Sequence, residues 1–290
     1  NFNILTNNDG PGSLTLDKWA EPVPGTNNRW KVTLSLMGED IQRTSDIVLV
    51  IDKSGSMQGD KMTQAKTAAK KFVDDLLKEN GNTRIALVHY STTVSVYDST
   101  NPFKNHNSKQ ALKNAIDGLS ASGGTHTQAG IRQARNLLAG SVADSKNIVL
   151  LSDGEPTYSY ALSNTSLNSG NFTTSGTNRY SRDDLPQSRF NYSSRAGAGS
   201  AMTTYIGGSG FLGLSSPYRY YHHGNSAVAE SRFAKASGYT IYTIALSAGT
   251  DGNDVLNKIA DPGKAFTGSS SDLQAIFNEV AGDISLAATD

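Results

Sequence analysis

The chain has 290 residues with 26 basic and 26 acidic side chains, and this balance argues against a nucleic-acid partner bound mainly through its phosphates. It has no cysteine, which excludes disulfides, thiolate metal ligands and cysteine nucleophiles. No stretch approaches the roughly 20 apolar residues that cross a bilayer, so we expect a soluble fragment of a longer protein, without a membrane span.

The first segment differs in composition from the rest of the chain. Residues 1–28 are rich in Asn, Gly and Pro, and apolar and polar side chains then alternate from Arg29 to Leu36. A period of two is typical of a half-exposed strand in an antiparallel sheet. We therefore predict that residues 1–44 form a β segment outside the main domain.

The main domain alternates apolar runs with amphipathic segments. The runs lie at 46–51, 84–90, 147–152 and 239–246, and they lack clean alternation, as strands covered on both faces do. Helical spacing of apolar residues marks the segments 60–78, 112–119, 131–138, 227–238 and 271–284. This order predicts an α/β fold with a doubly wound, mostly parallel sheet and helices on both faces.

Residues 157–226 interrupt that rhythm, and we predict that they form an inserted arm. The arm contains eight of the twelve tyrosines and is rich in Ser, Gly, Asn and Arg, a composition that resembles an antibody paratope. Two interpretations stay open, since the tyrosines could bind a partner or pack the arm's own core. For the pair His222 and His223, with no partner at ligand spacing, we expect a surface loop.

Oxygen-bearing side chains follow the predicted strands at the edge where ligands bind in parallel sheets. Asp52, Ser54 and Ser56 come after the first run, Asp153 comes after the third, and a third loop offers Thr125 and Thr127. Such a set suits a hard cation, Mg²⁺ above all. Neutral hydroxyls would leave the ion able to bind a foreign carboxylate. The alternative is that Asp and Ser merely cap helices.

Three stretches, "DIVLVIDKSGSM", "SGGTHTQAGI" and "VLLSDGEPT", together resemble the metal-ion-dependent adhesion site of von Willebrand factor type A domains. The resemblance implies a metal site that binds Mg²⁺, with Mn²⁺ or Ca²⁺ as alternatives. Its implied ligands are Asp52, Ser54, Ser56, Thr125 (rather than Thr127) and Asp153. As residues that contact the bound partner we predict His126, Glu155, Tyr158 and Tyr160.

Within that family the chain resembles the tip adhesins of Gram-positive sortase-assembled pili. The resemblance implies that residues 45–285 form the type A domain and that an immunoglobulin-like domain flanks it. Residues 1–44 and 286–290 would then belong to the flanking domain. The expected location is extracellular, on a pilus anchored to the cell wall.

The function that this implies is adhesion: a Mg²⁺ ion binds an acidic residue of a host or extracellular-matrix protein, and the arm adds specificity. Other pilus subunits would contact the parent chain. One alternative is a structural pilus or cell-wall component whose metal serves folding or assembly. Another is an intracellular assembly factor. We expect no enzyme, because no serine lies in a G-x-S-x-G elbow and no histidine has an obvious acidic partner.

Overall fold

The computed structural model describes residues 6–7, 14–38, 43–163, 185–206 and 219–287. Parts of the predicted flanking segments and part of the predicted arm lie outside these residues. The helices are α1 (Asp60–Leu76), α2 (Lys109–Asp117), α3 (Thr127–Ala139), α4 (His223–Ala236), α5 (Thr250–Ile259) and α6 (Leu273–Ala287). The strands are β1 (Thr6–Asn7), β2 (Leu14–Pro22), β3 (Trp30–Gly38), β4 (Ser45–Asp52), β5 (Thr83–Tyr90), β6 (Val94–Val96), β7 (Ser145–Ser152), β8 (Tyr158–Leu162), β9 (Phe190–Gly197), β10 (Thr203–Ile206), β11 (Arg219–His222), β12 (Thr240–Leu246) and β13 (Ala265–Gly268).

A six-stranded sheet with the order β13-β12-β7-β4-β5-β6 lies at the centre of the molecule. The strands are parallel except β6, which pairs antiparallel with β5 at one edge. The predicted mostly parallel α/β fold is therefore confirmed. The strands β6 and β13 have only three and four residues, too few for a periodic signal in the sequence.

Alternate side chains of β4 supply the cores on the two faces of the sheet. Ile47, Leu49 and Ile51 pack with α1, α2 and α6, whereas Val48 and Val50 pack with α3, α4 and α5. All five are at most 1% exposed. Because both faces are covered, β4 is apolar throughout its middle, as the sequence predicted.

The edge of the sheet where β4 begins is fixed by ion pairs. The buried carboxylate of Asp46 accepts two hydrogen bonds from the guanidinium of Arg84, at 2.8 and 2.6 Å. At the same edge Lys264, just before β13, donates to Asp283 near the end of α6 at 2.5 Å. The chain therefore enters β4 and leaves α6 on one side of the domain, opposite the carboxyl ends of the strands.

The strands β1, β2 and β3 form a separate antiparallel sheet, which confirms the alternating strand expected near residue 30. Leu16 lies opposite Leu36, and Ala20 lies opposite Val32, so these side chains share one face. The apolar residues of β3 on that face are more than half exposed, up to 62% for Trp30. This three-stranded sheet, which we call the ribbon, leaves an apolar face uncovered by the described part of the chain.

The described part of the predicted arm is more regular than its composition suggested. The strand β8 pairs antiparallel with β9, and β10 pairs antiparallel with β11. The helix α4 begins at His223, so the arm ends before the predicted boundary at residue 226. We call β8 and β9 the arm root, because they join the arm to the domain.

Candidate metal site

The loops after β4 and β7 meet the loop before α3 at the carboxyl ends of the strands, where they enclose a cleft of about 350 Å³. Ser54, Ser56 and Thr125 line this cleft together with five glycines. Glu155 also lines the cleft and is exposed, and its contact with a bound partner stays a prediction. The site thus lies where ligands bind in open parallel sheets.

Asp52 is the last residue of β4 and is completely buried. Its Oδ1 accepts the backbone N–H of Ser54 at 2.8 Å, and its Oδ2 accepts the hydroxyl of Ser152 at 2.6 Å. Burial raises the pKa of this carboxyl to about 6, although both hydrogen bonds lower it. The charge of Asp52 is therefore incompletely compensated, and a cation beside it would stabilise the ionised form.

Hydrogen bonds connect three of the predicted ligands in a row. The hydroxyls of Ser54 and Ser56 lie 3.1 Å apart, and the Ser56 hydroxyl donates to Asp153 Oδ1 at 2.8 Å. The second oxygen of Asp153 accepts from the ammonium group of Lys61 at 2.6 Å. The folded chain therefore brings the loops after β4 and β7 into direct contact through oxygen atoms.

The two threonines of the third loop lie in different surroundings. Thr125 lines the cleft, whereas the Thr127 hydroxyl lies 3.4 Å from the hydroxyl of Tyr90, a fully buried residue. Thr127 is itself 1% exposed. This placement favours Thr125 as the oxygen donor at the cleft.

The donor chemistry of the site fits a hard cation. Within the described ranges, no three His, Cys, Asp or Glu side chains lie close enough to share a metal ion. The candidate set instead combines the carboxylates of Asp52 and Asp153 with three hydroxyls. All five donors are oxygen, as Mg²⁺ prefers, and Mn²⁺ and Ca²⁺ accept oxygen ligands as well.

The arm root is hydrogen-bonded to the loop that carries Thr125. The carbonyl oxygen of Thr125 accepts the N–H groups of Thr157 and Tyr158 at 2.8 and 3.0 Å. The Thr157 hydroxyl accepts the N–H of Thr125 at 2.8 Å. Gly199 and Ser200, which follow β9, line the cleft and were not predicted from the sequence. The arm therefore forms one wall of the cleft.

The ring of Tyr158 packs against two glycines of this wall. A Cβ at Gly124 would lie 2.6 Å from the ring, and one at Gly199 would lie 2.8 Å from the hydroxyl. Gly199 also has a φ of +83°, which favours glycine. The guanidinium of Arg195 lies 4.5 Å from the ring centroid, within cation–π range. Tyr158 thus fixes the arm root beside the cleft.

His126 does not match its predicted contact with a bound partner. Only 3% of the residue is exposed, and it does not line the cleft. Its ring lies under the arm, 4.7 Å from the ring of the half-buried Tyr160. Burial lowers the pKa of His126 to about 3. The prediction is corrected on this point, because α3 begins directly after His126 and the arm root covers the ring.

A polar stripe along α3 holds the arm root. Gln128 accepts the N–H of Tyr160 at 2.8 Å, and the guanidinium of Arg132 lies 3.7 Å from the ring centroid of Tyr192. Glu230 of α4, fully buried, pairs with Arg135 at 3.0 Å and accepts the Tyr192 hydroxyl at 3.0 Å. Sequence reasoning missed this network. A glutamate inside the apolar segment "AVAESRFA" was the available signal.

The expected surface loop at His222 and His223 is also corrected. Both histidines are buried. The imidazole of His223 lies between two strands of the arm and contacts a side chain of each. Its Nδ1 lies 2.8 Å from the Ser159 hydroxyl, and its Nε2 lies 2.8 Å from the Thr204 hydroxyl. Since Ser159 and His223 are both 0% exposed, this serine–histidine pair offers no access to a substrate.

The model of the von Willebrand factor type A domain matches residues 46–181. A crystal structure of the vWF domain of the type V pili tip protein Mfa5 from Porphyromonas gingivalis is 30% identical, with a TM-score of 0.69. It covers 86% of this chain, and this chain covers 98% of it. The chain belongs to the von Willebrand factor type A domain family.

The full-length Mfa5 sequence and a second relative are named as pilus proteins. The minor fimbrium subunit Mfa5 of Porphyromonas gingivalis is 32% identical across 94% of this type A domain chain, which spans 26% of the Mfa5 sequence. The pilus adhesin SpaC from Lactobacillus rhamnosus GG has the same fold, with a TM-score of 0.67 and 22% identity. That match covers 97% of this chain and 36% of the SpaC chain. The type A domain described here is thus similar to domains of pilus tip proteins.

Of the location predicted from the sequence, the position on a pilus is supported by the relatives. Relatives at pilus tips indicate an extracellular position on a pilus. Porphyromonas gingivalis is Gram-negative, so a Gram-positive source and cell-wall anchoring stay predictions. In the part of the type A domain chain that the structure describes, no helix is both long and apolar enough to cross a membrane.

Proposed function

We propose that this domain is an adhesion module of a pilus, and that it binds an acidic residue of a host or extracellular-matrix protein through a divalent cation. Asp52, Ser54, Ser56, Thr125 and Asp153 would hold the cation, Mg²⁺ above all. The bound ion would supply a Lewis-acid contact to the partner's carboxylate. The arm would add specificity from the side of the cleft.

The observation that carries this proposal is the convergence of oxygen donors at an open cleft. The hydroxyl side chains of Ser54, Ser56 and Thr125 line the cleft, and the buried carboxylates of Asp52 and Asp153 are hydrogen-bonded to Ser54 and Ser56 respectively. Buried carboxylates are costly unless they are paired or coordinate metals. If the three neutral hydroxyls bind the ion directly and the two carboxylates act through water, a divalent ion would keep much of its charge for an anionic partner.

The exposed hydroxyl of Ser56 offers a direct test with a matched control. Ser122 is also exposed and lies in a neighbouring loop, but it does not line the cleft. We expect Ser56→Ala to weaken Mg²⁺ binding at least tenfold, because loss of even an outer-shell partner costs 10–100-fold in affinity. Ser122→Ala should bind Mg²⁺ as the unchanged protein does. Isothermal titration with MgCl₂ measures both affinities.

The adhesive step needs a second measurement. Binding to immobilised fibrinogen, fibronectin and collagen is compared in Mg²⁺ and in EDTA, with Ser56→Ala and Ser122→Ala alongside. Binding that is lost in EDTA and in Ser56→Ala would support the adhesive role. Ser56→Ala that binds Mg²⁺ and these proteins as tightly as Ser122→Ala would contradict the proposal.

The structural alternative predicts a different result in the same experiment. If the metal serves folding or assembly in a pilus or cell-wall component, EDTA lowers the melting temperature without changing attachment to matrix proteins. An intracellular assembly factor has no support from the pilus relatives, and it predicts no binding to matrix proteins at all.

We also propose that residues 1–44 and 286–290 belong to an immunoglobulin-like domain that flanks the type A domain at residues 45–285. The exposed apolar face of the ribbon supports this, since a two- or three-stranded sheet needs a covered apolar face for stability. The entry to β4 and the end of α6 lie at one edge of the domain, so both connections would reach the same neighbour.

A further inference from the structure

A lysine of α1 contacts the candidate metal site. Lys61 is the second residue of α1, and its ammonium group donates to Asp153 Oδ2 at 2.6 Å. The side chain of Asp153 is 0% exposed, and its other oxygen already accepts the Ser56 hydroxyl at 2.8 Å. Both oxygens of this carboxylate therefore have partners within the chain itself.

The position of Lys61 is unfavourable for a cation in the helix. The first turn of a helix has a partial positive charge, which favours acidic side chains and disfavours basic ones. The contact with Asp153 offsets this disadvantage. In return, the ammonium group neutralises a buried carboxylate, which would otherwise be costly. The ion pair would thus stabilise the site when no divalent cation is bound.

Asp153 is also one of the proposed ligands of the divalent cation, so the ammonium group of Lys61 and the cation would compete for one carboxylate. A second cation at Asp153 would be repelled by the ammonium group and would compete for Oδ2. We propose that Lys61 is an internal counter-ion, which stabilises the metal-free site and lowers its affinity for the divalent cation. This inference rests on the proposed function of the same site.

The chain offers a closely matched control for Lys61. Lys70 lies on the same helix, pairs with Asp117 at 2.7 Å, and its side chain is 30% exposed, compared with 29% for Lys61. Asp117 is at the end of α2, outside the cleft. Lys61→Met and Lys70→Met therefore each remove one partly exposed ammonium group and one ion pair, but only the first change affects the site.

For Lys61→Met we expect the melting temperature without metal to fall and the Mg²⁺ affinity to rise. In EDTA its melting temperature should fall below that of the unchanged protein, because Asp153 loses its partner. In MgCl₂ titrations its affinity should rise about tenfold, since a charge within about 4–6 Å of a carboxylate is worth one or more tenfold steps. Lys61→Gln, which keeps a hydrogen-bond donor without the charge, should change the affinity in the same direction. Lys70→Met should leave the Mg²⁺ affinity unchanged.

The outcomes separate this inference from the proposed function. If the unchanged protein binds Mg²⁺ and Lys61→Met and Lys61→Gln bind it equally or more weakly, Lys61 is not a competitor, and the adhesion proposal stands. If neither the unchanged protein nor Lys61→Met binds Mg²⁺, both proposals fail. A rise in affinity in Lys61→Met but not in Lys70→Met supports the inference.

Discussion

The arm root and the ribbon are both small antiparallel sheets outside the central sheet, yet the apolar side chains are buried in the arm root and exposed in the ribbon. In the arm root Phe190 and Leu162 are 6% exposed and pack with Tyr221 and α4. In the ribbon Trp30 and Leu36 are 62% and 61% exposed. The domain covers the apolar side chains of the arm root, whereas the described residues leave those of the ribbon exposed.

The difference shows what makes a short strand pair part of a domain. Isolated hairpins are marginally stable in water, so their stability comes from what covers them. The arm root is covered by α3 and α4 and is fixed by polar contacts from Gln128 and Glu230. The ribbon has its own register of paired residues but no such cover within the described residues.

The polar network of the arm root gives the largest expected effect. Glu230→Ala would leave the guanidinium of Arg135 largely buried without its carboxylate, and it would remove the partner of the Tyr192 hydroxyl. We expect the free energy of unfolding to fall by about 3–5 kcal/mol, the usual cost of breaking a buried pair. Chemical denaturation measures this value, and hydrogen exchange should show faster opening of β9.

An exposed ion pair provides the control for Glu230. Asp254 pairs with Lys258 on the surface of α5 at 2.7 Å, with both side chains more than half exposed. Asp254→Ala should change the free energy of unfolding by about 0.5 kcal/mol or less. Equal losses in Glu230→Ala and Asp254→Ala would show that the arm root is not held by this network.

Apolar truncation in the two strand pairs gives the next effect. Phe190→Ala removes a buried ring and should cost about 3 kcal/mol, at the lower end for buried aromatics because part of the ring is exposed. Leu36→Ala in the ribbon should cost about 0.5 kcal/mol or less, as exposed positions do. Thermal and chemical denaturation measure both. A Leu36→Ala loss as large as that of Phe190→Ala would mean that the chain covers its own ribbon.

Acid should weaken the arm root through His223. Burial lowers the pKa of this histidine from 6.5 to about 4, so between these values the unfolded chain binds a proton that the folded chain does not. Stability therefore falls as the pH drops below 6.5 and levels off below about 4. For this group the loss from pH 8 to pH 5 is roughly 2 kcal/mol.

A variant isolates the contribution of His223 to this dependence on pH. His126 has a lowered pKa for the same reason and acts in the same direction, so His223→Gln should remove only part of the slope. Chemical denaturation at several pH values measures the slope in each protein. An unchanged slope in His223→Gln would contradict the assignment.

The central sheet and the candidate site were predictable because their signals are local in the sequence. Four of the central strands, β4, β5, β7 and β12, are short apolar runs, and Asp52, Ser54 and Ser56 lie within five residues at the end of β4. Parallel strands bring their ends together, so the meeting of Ser56 with Asp153, 97 residues later, follows from the fold.

The arm root was not predictable in the same way, because its order comes from distant partners. Ser159 and His223 are 64 residues apart, and Arg135 and Glu230 are 95 residues apart. Neither partner has a spacing that marks it in the sequence. The alternation of apolar and polar residues in β3 predicted a strand with one apolar face. It did not predict what packs against that face, because the pattern contains no information on the neighbouring element.

The placement of the cleft and the chain connections at opposite edges of the sheet determines how the domain would carry load. A pull between a partner in the cleft and the connections at β4 and α6 runs along the strands. The strand β4 is hydrogen-bonded to β5 on one side and to β7 on the other, in continuous parallel register. Under such tension these bonds would be loaded together in shear and would not open one after another, which would suit the proposed adhesive role.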